Sequence, residues 1–142
     1  MSRVTAVHDD SRRHQIARSM FDADLASSAL GIELLELDDG LARAAMTVTE
    51  RMVNGHGITH GGFVFLLADT TFALACNSHD AAAVAARADI RYLRPTHQGD
   101  RLTASAVERA RFGRNGIYDV TVRVGDEVVA EFRGDSRTIG RP

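Results

Sequence analysis

The chain has 142 residues, 44% of them hydrophobic, and a formal net charge of −2, which is typical of one soluble globular domain. All 17 basic residues are arginine, so Schiff-base and P-loop chemistry, which need lysine, are excluded. These arginines are scattered among acidic residues, which argues against a nucleic-acid partner, and a single cysteine excludes a disulfide framework. No apolar run is long enough to span a membrane and no signal peptide is evident, so we expect a cytoplasmic protein.

The first half of the chain predicts a helix, two strands and a loop. Apolar residues recur at helical spacing over residues 10–27, which indicates an amphipathic helix. Two strands are predicted over residues 31–37 and 41–48, joined by the turn Asp38-Asp39-Gly40. A loop rich in glycine and histidine follows at residues 53–62.

Residues 63–77 form a run that is apolar on nearly every face and opens at Gly61-Gly62. The run is too long for a strand, so we predict a helix that is buried on all sides. Four strands separated by glycine or proline follow it, at roughly residues 82–94, 101–111, 116–124 and 127–138. This order favours an α+β fold, in which an antiparallel sheet curves around one long helix and an exposed sheet edge can pair with a second copy.

Asp69 places a carboxyl group about two turns inside this buried helix. Burial of a lone carboxylate is costly unless the group is paired or its pKa rises. Asp69 could pair with an arginine or cap a loop, or it could be catalytic. No arginine lies between Arg51 and Arg87, so the helix offers no local partner.

The glycine pair at the helix start also has two compatible interpretations. Gly61 and Gly62 could simply be a flexible helix start, or their bare N–H groups could bind a developing oxyanion. Gly61 and Asp69 lie eight residues apart, about 12 Å along one helix, whereas an oxyanion donor and a base must both approach one reacting centre. If both residues act, the site must therefore combine Gly61 of one chain with Asp69 of another.

The histidines of the loop could be drawn as part of a metal site. His56, His60 and the helix carboxylate would form a triad, but the glycines around the histidines make this segment a loop without helical i, i+4 geometry. We therefore expect no metal, and we favour His60 as a residue that fixes the loop or orients a reactant. On spacing alone, Asn54 is a turn residue and Thr70 carries a hydroxyl that bonds to the helix backbone.

At these residues the sequence resembles the hotdog-fold acyl-CoA thioesterases, in particular the phenylacetic-acid-degradation (PaaI-type) group. The motif is N-G-H-G-x-x-H-G-G followed by L-A-D-T-x-F-A-x-A-C-N-S, at residues 54–78. Further matches are Tyr92-Leu93-Arg94-Pro95, the turn at Gly113 and Phe132-Arg133-Gly134. The resemblance implies a hotdog fold with a long helix wrapped by five or six antiparallel strands. The resemblance covers roughly residues 20–140, and from the length of the chain we expect one domain over residues 1–142, with residues 1–8 flexible.

The resemblance further implies hydrolysis of an acyl-CoA thioester, such as that of phenylacetyl-CoA or hydroxyphenylacetyl-CoA, without a separate cofactor. Asp69 would be the general base or the nucleophile, and the sequence leaves this choice open. The Gly61 N–H would polarise the thioester carbonyl. Asn54 and His60 would orient substrate or water, and Thr70 would assist Asp69.

CoA binding is implied for residues 92–95 and 111–114. Arginine forks suit phosphates, so Arg94, Arg111 and Arg114 are the candidates, with exposed strand-end charge as the alternative role for each. The resemblance implies edge-to-edge dimers that pair into a homotetramer, with active sites at the dimer interface. Two other functions stay open: a hotdog dehydratase using His60, and a non-catalytic module that binds acyl-CoA and releases no thiol.

Overall fold

The computed structural model describes residues 13–139, which form helices at the N-terminus and centre of the chain and one sheet. The helices are α1 Gln15–Asp22, α2 Leu25–Ala29 and α3 Gly61–Cys76, with a 3-10 turn at Glu50–Met52. The strands are β1 Glu33–Asp38, β2 Leu41–Thr47, β3 Ala83–Tyr92, β4 Arg101–Phe112, β5 Asn115–Val124 and β6 Glu127–Thr138. Within residues 13–139, no helix has both the length and the apolar composition needed to cross a membrane.

The six strands form one antiparallel sheet in the order β1-β2-β4-β5-β6-β3, and α3 contacts every strand of it. Alternating residues of each inner strand face the helix, for example Tyr118, Val120 and Val122 of β5, which are all buried. Small residues bring the sheet close to α3. A Cβ at Gly134 of β6 would lie 2.7 Å from the ring of Phe72, so glycine is required there for this ring to pack. The predicted architecture of a helix wrapped by antiparallel strands is confirmed, with six strands.

The predicted N-terminal helix over residues 10–27 is wrong as one element. α1 ends at Asp22, and Asp24 then caps α2 by accepting a hydrogen bond from the Ser27 N–H at 3.0 Å. The apolar residue that continues the helical pattern past this break, Leu25, is 80% exposed and does not pack on the core. Residues 10–12 of the predicted helix, and residues 1–8 that we expected to be flexible, lie outside the described residues.

The prediction that α3 is buried on all sides is also wrong for a single chain. Four residues at positions i, i+4, i+7 and i+11 are partly or fully exposed and form one line along the helix. We call this line the uncovered stripe: Gly62, Leu66, Asp69 and Ala73. Its apolar members are why the sequence pattern showed no sign of an exposed face.

The uncovered stripe is accompanied by an exposed sheet edge. β3 is the last strand of the sheet and pairs only with β6, so its other side has no strand partner among residues 13–139. Most of its side chains are exposed, including Val84 at 48%. Unpaired strand edges and exposed apolar residues are typical of surfaces that bind another chain.

Candidate active site

α3 begins at Gly61, directly after its N-cap residue His60. His60 is the N-cap: its Nδ1 accepts a hydrogen bond from the Gly62 N–H at 3.0 Å, and its carbonyl accepts one from the Phe63 N–H at 3.0 Å. Across residues 13–139 the N–H of Gly61 has no acceptor. The helix dipole adds partial positive charge at this point, so the Gly61 N–H can stabilise a partly negative oxygen.

Asn54 fixes the shape of the loop that leads to this helix start. Its Oδ1 accepts hydrogen bonds from the N–H groups of His56 at 2.9 Å and Ile58 at 3.3 Å. Its own N–H donates to the Ile58 carbonyl at 2.8 Å, and Gly57 completes the turn with a φ of +80°. The interpretation of Asn54 as a turn residue is confirmed.

A cavity of about 440 Å³ adjoins the helix start and brings together three of the predicted site residues, Asn54, Gly61 and Arg94. The remaining lining residues are Ile58, Thr59, Val64, Tyr92, Leu93, Pro95, Thr96 and Val129. Most of this lining is apolar. The Arg94 guanidinium at its edge is already paired with Glu127 at 2.9 Å and also donates to the Val128 carbonyl at 2.9 Å.

The Asp69 carboxyl lies on the uncovered stripe and makes no hydrogen bond or ion pair within residues 13–139. Burial raises its pKa above the ordinary value because the carboxylate loses water contacts, and the negative charge of Asp24 adds to this effect. Neither an arginine partner nor a capped loop is found for it among these residues. Asp69 is also absent from the lining of the cavity beside Gly61, as their separation along one helix requires.

Thr70 does not approach the Asp69 carboxyl, because its hydroxyl is buried on another side of α3. It shares a hydrogen bond with the Ser27 hydroxyl at 2.8 Å, and Ser27 in turn donates to Asp24 at 2.6 Å. The prediction that Thr70 bonds to the helix backbone is wrong. The neighbouring Thr71 makes that contact instead, with the Leu67 carbonyl at 2.7 Å.

Arg111 and Arg114 lie beyond the other end of α3, far along the fold from Arg94. They line a second cavity of about 600 Å³, together with Arg13, Asp39, Ser78, His79, Asp80, Ala81, Gly113 and Thr138. Neither arginine forms an ion pair with any residue of the 13–139 range. One chain therefore does not bring the three predicted CoA-binding arginines together.

The metal triad considered from the sequence does not assemble either. In the described part of the chain, the one cluster of three potential metal-ligating side chains is His14, Asp38 and Asp39. Within it, Asp39 already bonds to Arg13 and to the His14 Nε2. His56 and His60 are not part of this cluster.

Two contacts at the cavity were missed from the sequence. The Tyr92 hydroxyl donates to the Gly61 carbonyl at 2.9 Å, and the Thr96 hydroxyl donates to that of Thr59 at 2.7 Å. Each joins residues more than thirty positions apart, so no local pattern carries it. The sequence singled out Tyr92 as part of the Tyr92-Leu93-Arg94-Pro95 match, but it gave no sign of the contact with Gly61.

Comparisons with known proteins extend these observations. Residues 56–131 match the model of the thioesterase superfamily. The chain is 47% identical over 127 residues to acyl-coenzyme A thioesterase PaaI of Escherichia coli (strain K12), covering 89% of this chain and 91% of that protein. The structure of E. coli PaaI, from the phenylacetic acid degradation operon, matches with a TM-score of 0.88 at 45% identity, covering 92% of this chain and 96% of that one. A mutant structure of phenylacetic acid degradation protein PaaI from Thermus thermophilus matches with a TM-score of 0.80 at 38% identity, covering 82% and 100% respectively.

Proposed function

This chain belongs to the thioesterase superfamily and is a thioester hydrolase, and we propose that it cleaves acyl-CoA with Gly61 of one chain and Asp69 of another. One observation carries the proposal. Both the Gly61 N–H and the Asp69 carboxyl lack a hydrogen-bond partner among residues 13–139, and their chemistry is that of an oxyanion donor and a base.

The chemistry needs only these two groups and water. Asp69 takes a proton from a water molecule while the water oxygen attacks the thioester carbonyl carbon. The Gly61 N–H stabilises the negative charge that develops on the carbonyl oxygen. Collapse of this intermediate breaks the carbon–sulfur bond, and the proton held by Asp69 passes to the departing sulfur, which releases CoA as the thiol together with the free acid. Direct attack by Asp69, followed by hydrolysis of the resulting anhydride, uses the same two groups.

A second copy of the chain supplies the missing half of the site. The exposed edge of β3 and the uncovered stripe of α3 are unsatisfied in one chain, and pairing of two chains would cover both. This arrangement would carry the partner's carboxyl toward a Gly61 that its own Asp69 cannot reach. We extend the proposal to a homotetramer, a dimer of dimers, and to a cytoplasmic location, which suits a substrate built on CoA.

Substrate binding divides between the two cavities. The apolar lining beside Gly61 suits an aryl-acetyl group such as phenylacetyl or hydroxyphenylacetyl, in keeping with the names of the PaaI relatives. Arg111 and Arg114 are better candidates for the CoA phosphates than Arg94, because Arg94 is already paired with Glu127. Asn54 and His60 would act by holding the loop and the helix start in place, and Thr70 would act on Asp69 only through the helix.

Thiol release from a panel of acyl-CoA compounds tests this function. The panel contains phenylacetyl-, hydroxyphenylacetyl-, benzoyl-, acetyl- and a long-chain acyl-CoA, each followed with a thiol-reactive dye. Asp69→Asn should lower kcat by about 10²- to 10⁴-fold without changing the oligomeric state. Asp126→Asn, the same change at an exposed turn, is the matched control and should leave turnover unaltered.

Two results would contradict the proposal. Normal turnover by Asp69→Asn would remove the carboxyl from the mechanism. Stoichiometric binding of acyl-CoA without thiol release from any compound would instead make the chain a binding module. A preference for acyl groups other than aryl-acetyl would refute only the proposed substrate.

A further inference from the structure

Tyr92 connects the exposed strand β3 to the first residue of α3. Its hydroxyl donates a hydrogen bond to the Gly61 carbonyl oxygen at 2.9 Å. Its ring lies against the Gly61 Cα so closely that a Cβ at this position would be 3.0 Å from both Cζ and the hydroxyl oxygen. Both residues line the cavity of about 440 Å³.

Gly61 depends on its neighbours for a fixed backbone conformation, because glycine has the widest choice of φ and ψ. Besides the hydrogen bonds of the helix itself, three hydrogen bonds restrain the two peptide groups that meet at its Cα. His60 makes two of them, through its carbonyl to the Phe63 N–H at 3.0 Å and through its Nδ1 to the Gly62 N–H at 3.0 Å. The third is the bond from Tyr92, and it alone comes from the sheet.

We infer that Tyr92 is a positioning residue, which holds the Gly61 N–H in the orientation that stabilises negative charge on the thioester carbonyl oxygen. This inference rests on the proposed function. A donor that is already oriented costs no reorganisation when charge develops, so a loosened Gly61 peptide lowers the rate even though the N–H itself is retained.

The chemistry of the phenol supports this role. Burial raises the pKa of Tyr92 above its ordinary value, so the hydroxyl keeps its proton and remains a donor at neutral pH. Since this proton is committed to the Gly61 carbonyl, the hydroxyl acts on the helix start and the ring acts as cavity wall. The two contributions can be separated because phenylalanine keeps the ring and removes only the hydroxyl.

Steady-state kinetics of Tyr92→Phe test the inference. We expect kcat to fall about tenfold, the equivalent of one hydrogen bond, with KM unchanged because the ring still lines the cavity. Thr121→Val is the matched control, because it also removes only a hydroxyl. That hydroxyl donates to Glu131 at 3.0 Å and lies outside the linings of both cavities, so kcat should stay at the wild-type value. An unchanged kcat for Tyr92→Phe would overturn the inference, and so would a raised KM at unchanged kcat, which would make Tyr92 a substrate-binding residue.

A second measurement does not depend on turnover. Selective ¹⁵N-glycine labelling gives a sparse spectrum, since the chain has 12 glycines, and the amide order parameter of Gly61 reports its rigidity. We expect a value of about 0.85 in the wild type and a clear decrease in Tyr92→Phe. An unchanged order parameter with normal wild-type turnover would overturn the inference alone. Absence of thiol release by the wild type would overturn the proposed function and the catalytic purpose of Tyr92 with it, even if the order parameter decreased.

Discussion

The two ends of α3 differ in how their backbone groups are hydrogen-bonded. At the C-terminal end, Asn77 donates to the carbonyls of Ala73 at 2.9 Å and Ala83 at 3.0 Å, and its Oδ1 accepts from the Ala83 N–H at 2.8 Å. Ser78 donates to the Ala75 carbonyl at 2.7 Å and accepts from the Gly40 N–H at 2.8 Å. At this end, side-chain hydrogen bonds to backbone groups hold the helix against neighbouring segments.

At the N-terminal end the neighbours of Gly61 are equally well bonded, yet the Gly61 N–H has no acceptor among residues 13–139 and lies beside a cavity. The first N–H groups of a helix have no acceptor within the helix, so they are the ones that a ligand can use. Hydrogen bonds at one end hold the helix in the sheet, whereas those at the other end fix the peptide groups beside the Gly61 N–H, as the proposed oxyanion donor requires.

Among changes at the two ends of α3, the largest effect is expected from removing the Gly61 N–H. Gly61→Pro deletes the N–H at the first helical position, where proline is tolerated, and the extended conformation of His60 with ψ of 130° suits a following proline. Loss of one oxyanion donor should lower kcat by about 10²- to 10³-fold. Gly61→Ala is the matched control, because it adds the same Cβ contact with Tyr92 but keeps the N–H. If both variants lost activity equally, crowding and not the missing N–H would be the cause.

At the C-terminal end of α3, we expect a substitution to lower stability and leave kcat unchanged. Asn77→Ala leaves the buried Ala83 N–H and carbonyl without their partners, which should lower the free energy of unfolding by about 2–3 kcal/mol. Denaturant titration measures this loss. The kcat of the fraction that remains folded should equal that of the wild type, and a specific loss of kcat would show that the two ends are not separate in function.

The smallest effect concerns stability at Asp69. Its pKa is raised in the folded state, so the folded chain binds more protons than the unfolded chain as pH rises past the ordinary value of 3.8, and its stability falls. Asp69→Asn removes this penalty and should be more stable at neutral pH by about 1 kcal/mol, a gain that disappears below the ordinary carboxyl pKa. Thermal unfolding at about pH 7 and pH 3 measures the difference. If the gain in stability persisted at the lower pH, it would come from packing and not from the charge of Asp69.

Local signals were sufficient to predict most of the architecture. Alternating residues and glycine or proline breaks indicated all six strands, and the length of the apolar run indicated α3. The uncovered stripe could not be predicted, because Leu66 and Ala73 are as apolar as the buried residues around them. Whether the uncovered stripe is exposed depends on where the sheet ends, and a local sequence pattern does not contain that information.

Residue types in the sequence were enough to propose a candidate site, but the contacts of these residues could not be predicted. Gly61 and Asp69 carry chemistry that the helix pattern does not require, so the sequence could single them out. The partner of Thr70 and the contact between Tyr92 and Gly61 depend on how distant segments pack. The separation of Arg94 from Arg111 and Arg114 has the same cause, since strand order decides which loops meet.

The central claim, that two chains build one site, is tested most directly by mixing two inactive variants. Gly61→Pro and Asp69→Asn would be co-expressed with different affinity tags, and the doubly tagged oligomer would be assayed for thiol release. Each mixed dimer then has one site with both an intact Gly61 and an intact Asp69, and a second site with neither. The account predicts that mixed dimers recover about half of wild-type kcat per dimer, against almost none for either variant alone. No recovery in the mixed dimers would contradict it, because a site built within one chain is broken in both.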